Sequence, residues 1–201
     1  MNEKHRDIEL HIKTSDVGEQ EDQSPHYHHY EATSYWMLDE LFKHYQLGQS
    51  DAFVDYGCGK GRVLYYVHNR FQVSVTGVEM NQSHYQDALA NEKMYLKHNN
   101  KNGDLIRIEC CLAEDYQIKE NENCFFFFNP FSLQIFINIV NNILNAVEQN
   151  KRTVDIILYY PAIEYMDYLE TRTPFELFQN VGIPGISEIN ARERFLIYRL
   201  T

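Results

Sequence analysis

Long apolar runs are missing from the sequence, and none approaches the roughly 20 residues that a membrane-spanning helix requires. The first stretch, residues 1–11, is charged rather than apolar. We therefore expect no membrane partner and a soluble protein of the cytoplasm.

Cysteine is scarce, and the four cysteines show no paired spacing of the kind typical of metal sites. Cys58 lies between two glycines in a predicted turn. The others, which lie in predicted strands, are Cys110, Cys111 and Cys124. We predict that all four are buried free thiols in a reducing compartment.

Histidines cluster near the N-terminus, and such a cluster can bind a metal. The members are His26, His28 and His29. No further ligand stands at a suitable spacing, so an exposed polar segment is the favoured interpretation and no metal site is predicted.

Basic residues are outnumbered: 18 Lys and Arg face 29 Asp and Glu, which gives a net charge of −11 and a pI near 5.2. A field of this sign repels phosphate backbones and slows encounter with nucleic acid. Nucleic acid is therefore disfavoured as a partner.

The length of 201 residues fits one domain of ordinary size. Residues 1–25 are polar, acidic at Glu19, Glu21 and Asp22, and without apolar periodicity. They predict an N-terminal arm that is mobile or orders on a ligand. Residues 26–201 are predicted to form the single domain.

Strands and helices alternate along the domain. Strands are predicted at 52–56, 73–79, 105–111, 124–128, 154–160, 175–179 and 194–199. Helices are predicted from Ser34, after the glycines near 60, from a capping box at Ser83 and Gln86, from Ser132, and over 162–170. The pattern predicts an α/β fold with a doubly wound, mostly parallel seven-stranded sheet and a C-terminal antiparallel hairpin.

A glycine-rich turn follows the first strand. Asp55 is followed by Gly57, Gly59 and Gly61. Alternate glycines let the chain turn sharply and let a ligand approach main-chain N–H groups beside a helix N-terminus. A tight turn without a ligand is the structural alternative.

A dinucleotide site is the first rival interpretation of this turn. Its fingerprint requires glycine or alanine where this chain has Arg62, and Asp55 would oppose a pyrophosphate. Charge therefore favours a cationic ligand. In a doubly wound sheet ligands bind at the carboxyl ends of the strands, where Asp55, Glu79, Asp115 and Asn129 are all expected.

The succession of these features resembles the class I S-adenosylmethionine-dependent methyltransferases over residues 30–200. The resemblance implies that the glycine turn cradles the methionine portion of the cofactor, with Asp55 facing its amino-acid end. It implies that Glu79 binds the ribose hydroxyls and that Glu114 or Asp115 holds the adenine amino group. Met80 either packs on the adenine or is a core residue. Carboxylates suit these partners because they accept hydrogen bonds from hydroxyls and amines.

Two further segments resemble motifs of this family. Residues 30–33 are similar to a Tyr-x-Pro-Thr element, with alanine for the proline, which implies that Tyr30 and Thr33 cover the cofactor as a lid. Residues 129–131 are similar to an Asn-Pro-Pro-aromatic motif without its second proline. That likeness makes Asn129 and Phe131 the predicted catalytic residues, with Asn129 also touching the cofactor. The alternative is that Asn129 only caps the following helix.

Methyl transfer from a sulfonium is an in-line displacement in which sulfur leaves neutral, so alignment matters more than acid catalysis. The predicted acceptor cleft is aromatic with one acidic neighbour: Tyr30, Trp36, Phe131, Tyr159, Tyr160 and Tyr165, beside Glu164. Core packing is the favoured alternative for most of the tyrosines. Such walls suit a cationic amine of a protein or a small molecule. A base methyltransferase of RNA or DNA, a non-catalytic cofactor-binding protein and an NAD-dependent oxidoreductase are the alternatives.

Overall fold

The computed structural model describes residues 3–15, 31–99 and 103–201. Its strands are β1 (Ala52–Tyr56), β2 (Ser74–Val78), β3 (Ile106–Glu109), β4 (Cys124–Phe127), β5 (Val154–Tyr159), β6 (Glu176–Gly182) and β7 (Arg194–Leu200). Its α-helices are α1 (Glu3–Leu10), α2 (Tyr35–His44), α3 (Arg62–Phe71), α4 (Gln82–Asn99), α5 (Leu133–Gln149) and α6 (Ile163–Arg172). Short 3₁₀ turns cover Gly103–Leu105 and Ala113–Asp115.

The described strands form a seven-stranded sheet in the order β3-β2-β1-β4-β5-β7-β6. The first five strands in that order are parallel, and β7 runs antiparallel to both β5 and β6. The predicted fold class and the C-terminal hairpin are confirmed. The strand order reverses between β1 and β4, so the carboxyl ends of these two strands are where a ligand is expected.

Helices cover both faces of the sheet, and each face has its own hydrophobic cluster. On one face Leu38 and Phe42 of α2 and Leu64 of α3 are fully buried. On the other face the apolar stripe of α5, with Phe136 and Ile139, packs on the sheet. Strand β4 is buried at every position, as expected for a central parallel strand.

Two details of the predicted elements are wrong. Helix α4 is capped by Asn81, whose Oδ1 accepts the backbone N–H groups of Ser83 and His84 at 2.9 and 3.1 Å, so the predicted capping box is not used. Strand β3 ends at Glu109, so Cys110 and Cys111 lie beyond the ladder. Cys110 is exposed and Cys111 is half-buried, whereas both were predicted to be buried in a strand. Cys58 and Cys124 are buried as predicted, and all four thiols are free.

Helix α1 lies within residues 1–25, where the sequence predicts a polar arm and no helix. Its buried residues are Asp7 and Leu10. Because an aspartate occupies half of the buried stripe, apolar periodicity does not reveal the helix. None of the described helices is long and apolar enough to span a bilayer.

Candidate functional site

The glycine turn connects β1 to α3, at the reversal of strand order. Gly57, Gly59 and Gly61 all have positive φ values, of 79°, 54° and 85°. The N–H groups of Gly57 and Cys58 donate to the carbonyl of Val78 at 2.9 and 3.2 Å, which ties the turn to the end of β2. The left-handed conformations explain why glycine stands at alternate positions.

The close contact with Pro130 also requires glycine at position 57. A Cβ added at Gly57 would lie 2.9 Å from the Cβ of Pro130. The loop that follows β4 therefore packs directly on the glycine turn. This contact brings the Asn129-Pro130-Phe131 segment beside the predicted cofactor cradle.

Replacing Gly57 with alanine is expected to lower the free energy of unfolding by about 2–4 kcal/mol, from left-handed strain plus overpacking against Pro130. Gly185 is the matched control because it has the same φ of 79° and nothing within 4 Å of an added Cβ. Gly185→Ala should cost only the strain, about 1–2 kcal/mol. Denaturant unfolding of both variants measures the difference, and equal losses would contradict the close packing of Pro130 on Gly57.

Asp55 lies in β1 and is almost completely buried. It lines a narrow cavity together with Thr33, Gly57, Cys58 and Phe128. Burial, and then the charge of Glu79, raises the pKa of the Asp55 carboxyl to about 8. A cation entering this cavity would stabilise the ionised carboxylate, so the site fits the ammonium group of S-adenosylmethionine.

Glu79 follows β2 and is buried at the same edge. Its Oε2 accepts the N–H of Gly59 and its Oε1 accepts the N–H of Asn81, both at 2.8 Å. The carboxylate thus holds the glycine turn to the loop after β2. Two carboxylate oxygens offer about four lone-pair sites, so acceptor capacity remains for a ribose diol.

The predicted adenine-binding residues lie on the neighbouring loops. Met80 is half-buried directly after Glu79, while Glu114 is half-buried and Asp115 exposed in the 3₁₀ turn after β3. The Nδ2 of Asn142 on α5 donates to the carbonyl of Glu114 at 2.7 Å, which fixes this turn. The contact of these three side chains with adenine stays a prediction.

Asn129 follows β4 with a left-handed φ of 42°. Helix α5 has Ser132 as its N-cap residue, so Asn129 does not occupy the capping position. The Asn129 side chain makes no hydrogen bond to any residue that the structure describes. Its amide is therefore available to a ligand at the carboxyl edge of the sheet.

Phe131, predicted to be catalytic, is buried in the core cluster of the α5 face. The hydroxyl of Tyr165 donates to its carbonyl at 2.5 Å, and the Tyr165 ring stacks on Phe136 with centroids 3.7 Å apart. Trp36 is half-buried against the other cluster. The rings of Phe131 and Tyr165 thus belong to the core rather than to an open cleft.

A cavity of about 300 Å³ opens beside the ends of β4 and β5. It is lined by Glu31, Ala32, Ser34, Met37, Phe128, Tyr159, Tyr160 and Glu193. Tyr159 and Tyr160 were predicted here, whereas Phe128, Glu31 and Glu193 were missed. The Tyr159 hydroxyl donates to Glu193 Oε2 at 2.7 Å. No local motif marks Glu193, which the hairpin loop brings in from 34 residues along the chain.

Of the remaining predicted site residues, one is buried and the others lie outside the described part of the chain. Thr33 is buried beside the narrow cavity. Tyr30 and the histidine cluster lie outside the described residues. Among the residues that are described, no group of three or more His, Cys, Asp or Glu side chains could hold a metal ion.

Several solved structures, methyltransferases among them, share this fold. An RNA methyltransferase from Salinibacter ruber in complex with S-adenosyl-L-homocysteine matches with a TM-score of 0.56 and 14% identity, over 85% of this chain and 93% of that one. The MccD protein matches with a TM-score of 0.60 and 14% identity, over 84% and 98%. Geranyl diphosphate C-methyltransferase from Streptomyces coelicolor A3(2) matches with a TM-score of 0.52 and 14% identity, over 82% and 76%.

Sequence comparison identifies the family more directly than these distant structural matches. No curated protein sequence matches this chain significantly. A family model described as Histone methylation protein DOT1 matches residues 20–126, slightly more than half of the chain. The chain therefore belongs to the DOT1 family of class I S-adenosylmethionine-dependent methyltransferases, and S-adenosylmethionine is its cofactor.

Proposed function

We propose that the protein methylates a cationic amine, carried by a protein or a small molecule, in the cavity lined by Tyr159 and Tyr160. The observation that carries this proposal is the combination of aromatic rings with two carboxylates, Glu31 and Glu193, in one cavity. Rings attract cations through their faces, and carboxylates select positive charge. The family description, histone methylation, names a protein acceptor and supports the same class.

Tyr159 and Glu193 form a fixed acidic wall. Burial, and then the hydrogen bond to Glu193, raises the pKa of the Tyr159 hydroxyl well above its ordinary value. Tyr159 therefore remains protonated near neutral pH and keeps donating to Glu193. This donation orients the carboxylate toward the acceptor rather than leaving it free to rotate.

Asn129 is proposed to orient the amine that receives the methyl group. When bound, the cofactor supplies an electrophilic methyl group. The Asn129 amide oxygen would accept an N–H of the amine and point its lone pair at the reacting centre, a positioning effect of several kcal/mol. The amine must first lose a proton to solvent water, and desolvation among the rings favours this loss by lowering the pKa of the amine.

Glu193→Gln is expected to raise KM for a cationic acceptor about 10-fold, because the cavity that binds the acceptor loses a negative charge. The affinity for S-adenosylmethionine should not change. Glu164→Gln is the matched control, since Glu164 is exposed on α6 and does not line the cavity. Its KM should equal that of the unmodified protein. Equal KM values for both variants would contradict the proposed role of Glu193.

The acceptor class itself is tested with radiolabelled S-adenosylmethionine and three probes: a lysine-rich peptide, the polyamine spermidine and a single-stranded RNA. Label in the peptide or in spermidine is the expected result. Label in the RNA alone would overturn the amine assignment in favour of a base methyltransferase. Cofactor binding without label in any probe or in a cell extract would favour the non-catalytic alternative.

A further inference from the structure

Arg62 is the first residue of α3, and only 5% of its surface is exposed. Its guanidinium donates to Glu3 Oε2 and Thr14 Oγ1 at 2.7 Å each, to Ser15 Oγ at 3.0 Å, and to the carbonyl of Thr33 at 3.3 Å. One side chain thus joins the glycine turn, the α1 segment and the chain before α2. A planar fork with five donors is suited to such multiple bonding, which an ammonium cannot reproduce.

A buried aspartate holds the chain after α1 in place. Both Oδ atoms of Asp7 accept hydrogen bonds, from the N–H and hydroxyl groups of Thr14 and Ser15 at 2.7–2.9 Å and from the hydroxyl of Tyr35 at 2.6 Å. Burial raises the pKa of Asp7, but the bonds from Tyr35 and Thr14 outweigh it and hold the pKa below its ordinary value. Asp7 is therefore ionised, and its Oδ1 lies 3.8 Å from Nη2 of Arg62.

Glu3 links α1 to the start of α2. Its carboxylate accepts the N–H of Tyr35 at 3.2 Å and the hydroxyl of Ser34 at 3.3 Å, as well as the Arg62 bond. Ser34, the N-cap residue of α2, makes no capping bond with its own side chain. A carboxylate from another helix therefore satisfies the free N–H at the α2 terminus and favours its dipole.

Asn91 of α4 provides a second link between the same parts. Its Nδ2 donates to the carbonyls of Lys13 and of Lys60, at 3.1 and 2.9 Å, and its Oδ1 accepts the N–H of Lys13 at 2.8 Å. Lys60 belongs to the glycine turn. The chain after α1 and the cofactor cradle are thus bonded to one buried amide.

These bonds fix residues 31–34, which we call the roof segment. Its Thr33 carbonyl is held by Arg62, and its C-terminal end is held by Glu3. The same segment lines both the narrow cavity of Asp55 and the larger aromatic cavity. Displacement of α1 would therefore loosen a wall of both cavities.

We propose that Arg62 is a positioning residue, which acts with α1 to hold the roof segment over the bound cofactor and so retains it. The proposal rests on the cofactor site and does not depend on the identity of the acceptor. It explains the arginine at the position where a dinucleotide fingerprint would require a small residue.

The test measures the Kd of S-adenosylhomocysteine by calorimetry for Arg62→Lys, together with hydrogen exchange of residues 31–35. We expect the Kd to rise about 10-fold and exchange of the roof segment to accelerate. Arg199→Lys is the matched control. Arg199 binds Asp155 through two 2.7 Å bonds near the amino end of β5, away from the carboxyl edge that holds the cofactor site. Loss of these bonds should lower the stability of the fold without changing the Kd.

Glu3→Gln separates positioning from direct contact. Glu3 is partly exposed and lines neither cavity, so this variant should fold and weaken S-adenosylhomocysteine binding about 3-fold through the roof segment alone. An unchanged Kd in folded Arg62→Lys, or an equal rise in Arg199→Lys, would overturn the proposal. An unchanged Kd in Glu3→Gln would also overturn the proposal. This second variant decides the outcome if Arg62→Lys does not fold.

Discussion

Replacing Asp55 with asparagine is expected to weaken S-adenosylmethionine binding about 100-fold and to stabilise the ligand-free protein at alkaline pH. The affinity falls because a buried carboxylate that pairs with the ligand cation is lost, a change of about 2.7 kcal/mol. The stability rises because asparagine fills the same space and never ionises. The two effects have opposite signs, so general damage to the fold cannot imitate them.

The sign of the pH effect follows from the raised pKa of Asp55. In the folded protein this pKa is about 8, above the value of roughly 3.9 expected in the unfolded chain. A raised carboxyl pKa contributes stability that is fully present below the unfolded pKa and is lost as pH rises through the folded pKa. The unmodified protein should therefore lose this contribution between about pH 4 and pH 8, and the asparagine variant should not.

Calorimetry across this range measures both quantities. In the unmodified protein, affinity for the cofactor should increase as pH rises toward about 8, because Asp55 must ionise to pair with a cation. In Asp55→Asn it should show no such increase. Asp155→Asn is the control, because it breaks the ion pair with Arg199 and should reduce stability without reducing affinity. Undiminished binding by Asp55→Asn would remove Asp55 from the cofactor site.

Replacing Asn129 with glycine is expected to lower the rate of methyl transfer at saturating substrates at least about 100-fold, with the cofactor Kd changed less than about 3-fold. Glycine removes the amide and accepts the left-handed φ of 42° without strain. Asn129→Ala removes the same amide but adds strain of about 1–2 kcal/mol. Both variants should lose activity equally, although the alanine variant should be less stable.

Gln72→Gly is the matched control for Asn129→Gly. Gln72 also has a left-handed φ, of 57°, but it caps the far end of α3. Its replacement should leave methyl transfer unchanged. Undiminished turnover in Asn129→Gly would remove Asn129 from the mechanism, and a large rise in cofactor Kd would show that its main contact is with the cofactor.

Local patterns were sufficient to predict most of the sheet. Parallel strands buried on both faces appear as short continuous apolar runs, and β1 and β4 stand out for this reason. The glycine turn was visible because its requirement for left-handed residues is local. The positions of Asp55 and Glu79 then follow, because residues near the ends of parallel strands meet at one edge of the sheet.

Long-range placement could not be read from these patterns. Composition shows that Phe131 and Tyr165 are aromatic, but only packing shows that their rings belong to the core while Tyr159 and Tyr160 line a cavity. Glu193 reaches that cavity through the pairing of β6 with β7. In the sequence Arg62 is only an exception to a fingerprint, because its partners are 29 to 59 residues away.

The bonds of α1 also determine when this helix can dock during synthesis. Two of its partners, Arg62 and Asn99, follow it by tens of residues, and Asn99 bonds to the carbonyl of Leu10 from 89 positions away. At about 5–20 residues per second, a ribosome needs several seconds to supply them. Helix α1 therefore stays solvated until most of the sheet's first half has been made.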